Sequence, residues 1–246
     1  MNALRLPLAA LCIAFLRLVP TSALAQTQEL PSDTYEVGGA QIVVPAPWKG
    51  MVEMGIEKRH FMDQFVPPSN RLIAGYVSID ELPAIRAGDV KAPARIAIVA
   101  TSRQFESLSI SEADFKQIIE SAGKNFDTTV SGYAKDNEEQ FNRRIEALHL
   151  DSPQVSFAEP ISLGCLFSTP DSAAFGTILH ASKVGSSAKP SGPSTLTKAV
   201  SVIYVRVKKH ILFMYIYADY KDKDTAIWLR TAGESWATAV LNANKE

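Results

Sequence analysis

Apolar residues recur along this chain with two different periods. From Ser111 to Leu148 the stripe Phe115, Ile118, Ile119, Ala122, Phe126, Val130, Tyr133, Phe141, Ile145 and Leu148 advances mostly in steps of three and four. That spacing predicts one face of a helix. Ser111, with Asp114 three residues on, gives its start a capping-box pattern, and Ile110 and Phe115 occupy the places of a hydrophobic staple. Thr128, Thr129, Val130 and Gly132 are weak helix formers. The stretch therefore reads as one long helix, or as two that meet between Gly123 and Gly132, with helix throughout the favoured reading.

Elsewhere the period is two. Ile42 to Val44 form a short strand stopped by Pro45-Ala46-Pro47, an edge position because proline cannot donate to a ladder. Ile73, Val77 and Ile79 fall on one face of a strand, and Ile96 and Ile98 on one face of another. Residues 80–93 read as a loop. Ile161 to Phe167 and Phe175 to Val184 read as neighbouring strands joined around Pro170-Asp171, and 185–194 (GSSAKPSGPS) as an exposed loop. Ala199 to Val207 and Ile211 to Ala218 form a hairpin turning at Lys208-Lys209-His210. Ile211 to Tyr217 is apolar on both faces and belongs in the middle of a covered sheet. Residues 223–243 close the chain as a helix capped by Asp222 or Asp224. Strands, long helix, strands, helix is the order of an α+β fold. It predicts a mostly antiparallel β-sheet packed with a long helical region (about 111–148) and a C-terminal helix (about 223–243).

The N-terminus changes the picture most. Arg5, the apolar run Leu6 to Leu16 and the small-x-small end Ala23-Leu24-Ala25 have the three parts of an export signal. The run is too short to cross a bilayer, Arg17 interrupts its continuation, and Cys12 follows Leu11, where a lipoprotein signal needs a small residue. The expectation is a signal peptide at 1–25 cut after Ala25, a flexible leader at 26–34, and a single domain at 35–246. Cleavage leaves a periplasmic or secreted protein with no stable membrane anchor. It also removes Arg5 and Arg17 and no acid, which takes the formal net charge from −1 to −3. That balance gives no support for nucleic-acid binding. With Cys12 gone only Cys165 remains, so no intramolecular disulfide forms.

Candidate chemistry is sparse. His60, His149, His180 and His210 are scattered without zinc-ligand spacing, so no metal and no cofactor is expected. His210 reads as a solvated turn residue and His180 as a structural histidine in an apolar strand. Cys165, within Leu163-Gly164-Cys165-Leu166-Phe167, reads as a packed, inert thiol. A Cys165/His180 nucleophile–base pair is the one catalytic candidate the strand order allows. The acidic segment Asp219 to Asp224 lacks the glycine and terminal glutamate of a calcium loop. The aromatic residues divide between core packing and a groove for a partner segment or small apolar ligand. Trp48, Tyr220 and Trp228 are the candidate binding residues, Trp228 foremost because it lies off the main stripe of its helix.

The strand with its proline–tryptophan stop (Ile42 to Trp48), the strand Arg71-Leu72-Ile73-Ala74-Gly75, and the apolar hairpin followed by a tryptophan-bearing helix (Ile203 to Leu241) resemble the layout of the Mog1/PsbP-like α/β/α sandwich proteins. The resemblance implies a fold and a non-catalytic binding or assembly role, and transfers no functional residue. The expectation is an exported bacterial binding or assembly module of the cell envelope. The alternative is an envelope hydrolase whose site is assembled from distant segments.

Overall fold

In a computed structural model, residues 32–55, 62, 66–87, 93–147, 154–184 and 195–245 are described. The signal at 1–25, the loop at 185–194, His60 and His149 lie outside them. The elements in chain order are β1 (Ser32–Val37), β2 (Ala40–Pro45), β3 (Met51–Glu53), β4 (Asn70–Ser78), α1 (Leu82–Ala87), β5 (Arg95–Ser102), α2 (Glu112–Ala147), β6 (Gln154–Phe157), β7 (Ile161–Ser168), β8 (Ser172–Val184), β9 (Thr195–Val207), β10 (His210–Asp219) and α3 (Lys223–Ala243).

Eight strands form one antiparallel sheet in the order β3-β4-β5-β10-β9-β8-β6, with β7 also paired to β8. The doubly apolar strand β10 lies at its centre, between β5 and β9. The β9–β10 turn carries Lys208 and Lys209 at φ 47° and 65°, which suits the right-handed twist of a two-residue hairpin. Ile203, Val205, Leu212, Met214 and Ile216 face one side, where they pack with Leu229, Trp236 and Val240 of α3. Ile96, Ile98, Val200, Tyr215 and Tyr217 face the other, with Ile85 of α1. The start of α2 covers that second side through Ile110, Phe115 and Ile211. The result is an α+β sandwich with helices on both faces of the sheet.

Ser111 and Asp114 close the capping box: the Ser111 N–H donates to Asp114 Oδ2 (3.1 Å) and the Asp114 N–H to Ser111 Oγ (3.1 Å). From there α2 runs unbroken for 36 residues, about 54 Å at 1.5 Å per residue. Phe126 reaches Phe175 of β8 with ring centroids 5.3 Å apart, and Glu138 accepts the Phe157 N–H of β6 at 2.6 Å. At the head of α3, Asp222 is the N-cap and accepts from Asp224 and Thr225.

The hairpin β1–β2 lies beside α3 and contributes Val37, Ile42 and Val44 to the same core. Its β2 edge is closed entirely by side chains from the far end of the sequence. Lys208 Nζ donates to Gln41 O (2.8 Å), Asn244 both accepts from the Val43 N–H (2.9 Å) and donates to Val43 O (2.7 Å), and Trp236 Nε1 donates to Pro45 O (2.9 Å). An unpaired edge is thereby converted into a buried joint.

Several sequence expectations are corrected. The leader does not extend to residue 34, because Ser32 to Thr34 already pair in β1. Ile73, Val77 and Ile79 do not share a face. A β-bulge between Leu72 and Ala74 turns Ile73, Ala74 and Tyr76 toward α3 and leaves Leu72 and Val77 on the other side, and Ile79 is exposed. The loop at 80–93 contains the short helix α1. His210 is no solvated tip: it is buried, and its Nδ1 lies 3.0 Å from Glu106 O.

Candidate functional site

Three of the sequence candidates converge on one rim of the core. Trp48 follows β2, and Trp228 sits on the second turn of α3. Their rings meet edge to face with centroids 5.3 Å apart. Arg95, at the start of β5, lays its guanidinium 4.3 Å from the centre of the Trp228 ring. Tyr220, between β10 and α3, packs against the same core. Trp48, Tyr220 and Trp228 are each half-buried, and Ile227, next to Trp228, is 63 % exposed. The position follows from topology: the start of β5 pairs with the end of β10 (Arg95 opposite Ala218), and α3 leaves that end at once. The α3 stripe then buries Leu229, Gly233, Trp236, Ala237 and Val240, which turns Trp228 onto the helix flank. Arg95 was not among the sequence candidates. The signal for it lay in an apolar strand opening with arginine, and only the β5–β10 register ties it to Trp228.

The catalytic candidates do not meet. Cys165 is exposed, which corrects the packed, inert thiol. The apolar run around it reads as buried, but Gly164 at φ 69° and shifts on both sides of Gly164-Cys165 break the alternation of β7. Leu163 and Leu166 instead lie against Gly176. Cys165 stands opposite Phe175, and His180 lies five residues further along β8, on the opposite face of the sheet. At about 3.3 Å per residue the two are roughly 16 Å apart along the strand. The Cys165 thiol lies 3.4 Å from Phe167 O, and His180 Nδ1 lies 2.9 Å from Thr197 Oγ1. Alkylation in native buffer is expected to modify Cys165 within minutes, read by mass spectrometry. Labelling only after denaturation would contradict its exposure.

A second feature is a cleft of about 360 Å³ between β1 and the sheet. Asp33, Thr34 and Tyr35 form one wall, Leu72 to Gly75 of β4 the other, and Glu53, Met54 and Gly55 its end. Behind it stand two phenols. The Tyr35 hydroxyl is buried beside Tyr76 and Glu53, and the Tyr76 hydroxyl lies 3.4 Å from Val44 O. Burial first, then the neighbouring phenol and Glu53, hold the Tyr35 hydroxyl above its ordinary value of 10.0. Burial and the Glu53 charge likewise raise Tyr76. Both phenols therefore stay protonated and donate hydrogen bonds; they are not bases.

These shifts have a consequence for stability. Above pH 10 the unfolded chain loses phenolic protons that the fold retains, so unfolding becomes easier as pH rises. The urea midpoint is expected to be level from pH 8 to 9.5 and to fall above pH 10, less steeply in Tyr76→Phe. An equal slope in the variant would contradict the assignment.

No family model and no curated protein matches the chain. Among solved structures, the Ran-binding protein Mog1p of Saccharomyces cerevisiae is similar at 13 % identity, with 87 % of this chain and 90 % of that chain covered and a TM-score of 0.24. A point mutant of Mog1 is similar at 13 % identity, with 87 % and 91 % covered and a TM-score of 0.26. This is a weak resemblance of fold and says nothing of function. Among the described residues, no helix is long and apolar enough to cross a membrane.

Proposed function

We propose that this protein is a non-catalytic binding module, exported to the periplasm or secreted, and that it holds a protein partner on the face built from Trp48, Trp228 and Arg95. One observation carries the reading: two half-buried tryptophans, 180 residues apart in sequence, meet edge to face beneath a stacked arginine. Tryptophan, tyrosine and arginine dominate the energetic centres of protein interfaces, because each offers a large rigid surface and a polar tip. Here Trp48 and Trp228 are fixed against each other in advance, which lowers the ordering cost of association. Export rests on Arg5, the short apolar run Leu6 to Leu16 and the Ala23-Leu24-Ala25 end.

Two measurements test the two halves of the reading. Protein recovered from the extracytoplasmic fraction is expected to have the intact mass of a chain starting at Gln26; a mass retaining residues 1–25 refutes cleavage. Trp228→Ala is expected to weaken partner binding by about 2 kcal/mol, a factor of roughly 30. Unchanged affinity would remove Trp228 from the interface.

A further inference from the structure

We infer that the cleft beside β1 accepts an extended peptide segment bearing lysine or arginine, added to the β1–β2 sheet as a third strand. The backbone directions on β1 follow from the closed edge of β2. Gln41, Val43 and Pro45 spend their outward groups on Lys208, Asn244 and Trp236. Opposite residues in an antiparallel pair either exchange both hydrogen bonds or neither. Glu36, Thr34 and Ser32, which stand opposite those three, therefore also point their N–H and C=O groups outward. At Glu36 the outward carbonyl accepts from Arg71 Nη2 of β4 at 3.0 Å, so that edge faces β4. Two residues earlier, Thr34 presents the same pair of groups to the cleft whose wall it forms.

An exposed strand edge is a template for a further strand. The wall Asp33 to Tyr35 is three residues long, which sets the added segment at about three residues, or roughly 10 Å. The cleft volume of about 360 Å³ lies at the small end of ligand sites. The lining also sets the charge. Asp33 and Glu53 are the charged residues among the described lining, and no lysine or arginine accompanies them. Met54, Leu72 and Ile73 supply apolar surface for the aliphatic stem of a basic side chain whose head reaches the carboxylates.

The full chain is titrated with the capped pentapeptide Val-Lys-Val-Lys-Val, its glutamate counterpart, its backbone N-methylated form, and spermidine. The lysine peptide is expected to bind and to slow exchange of the Thr34 amide. N-methylation is expected to weaken binding roughly tenfold by removing strand hydrogen bonds, and Asp33→Asn to weaken the lysine peptide while leaving the fold intact. The glutamate peptide is expected not to bind. Equal binding of the N-methylated peptide overturns strand addition. Spermidine binding as well as the peptide reduces the site to a cation patch and overturns it too. No binding of the lysine peptide at millimolar concentration overturns the proposal outright.

Discussion

Replacing Trp236 with alanine is expected to unfold the protein or to remove most of its stability. The indole is fully buried, meets Tyr76 edge to face at 6.0 Å, and donates Nε1–H to Pro45 O at 2.9 Å. Deleting a buried aromatic side chain costs about 3–5 kcal/mol. A buried carbonyl left without its donor adds about 1–3 kcal/mol. The total is comparable to the whole stability of many domains, about 5–15 kcal/mol. Trp236→Phe keeps most of the ring contact and loses only the donor, so it separates the two contributions. Urea titration followed by circular dichroism is expected to rank wild type above Trp236→Phe above Trp236→Ala. An alanine variant within about 1 kcal/mol of wild type would contradict the role of Trp236 as the joint between α3 and the β1–β2 hairpin.

The second large effect is expected at Gly38, with Gly39 as its internal control. Both glycines of the β1–β2 turn have positive φ, 59° and 84°. A methyl at Gly38 would stand 2.1 Å from Glu106 O and 2.5 Å from His210 Cε1, whereas one at Gly39 meets nothing within 4 Å. Gly39→Ala therefore carries only the left-handed backbone penalty, about 1–2 kcal/mol. Gly38→Ala carries that penalty and a collision with backbone, so the turn must lift off the segment it rests on. That segment is held in place: Glu106 is ion-paired with Arg71, its Oε2 accepting Arg71 Nε at 3.0 Å, and Arg71 also bonds Glu36 O. Lifting the turn thus strains both hairpins at once. Thermal unfolding is expected to fall several degrees for Gly39→Ala and far more for Gly38→Ala. Equal losses would mean that the turn does not dock as described.

The elements that were legible in the sequence are those whose signal is local. The helix from Ser111 announced its cap and stripe, α3 its aspartate cap, and β10 its central place by being apolar on both sides. What stayed hidden is set by distant partners. The bulge at Leu72 to Ala74 reverses the face of Ile73 relative to Val77, and an alternation argument has no means to register one extra residue. The sequence Leu163 to Phe167 looked buried because composition records hydrophobicity and not the two register shifts that turn Cys165 outward. His210 looked solvated because its lysine neighbours are, yet Glu106, 104 residues away, shields it. The binding candidates divide the same way. Trp48 and Trp228 were visible as aromatics near the ends of the mature sequence, but their contact and the Arg95 stacked on it depend on the strand order. β1 was read as part of a polar leader because its outward residues are polar and its partner strand is short.

The account stands most directly on the tryptophan face, and a photo-crosslinking residue at Ile227 tests it in the intact chain made in its own cells. Position 227 is exposed beside Trp228, and Lys124 on the solvent side of α2 serves as the comparison. The result expected is one discrete protein adduct from position 227, lost when Trp228 or Arg95 is replaced by alanine, and none from position 124. Adducts of equal yield from both positions, or none from 227, would contradict the assignment of this face as the binding surface.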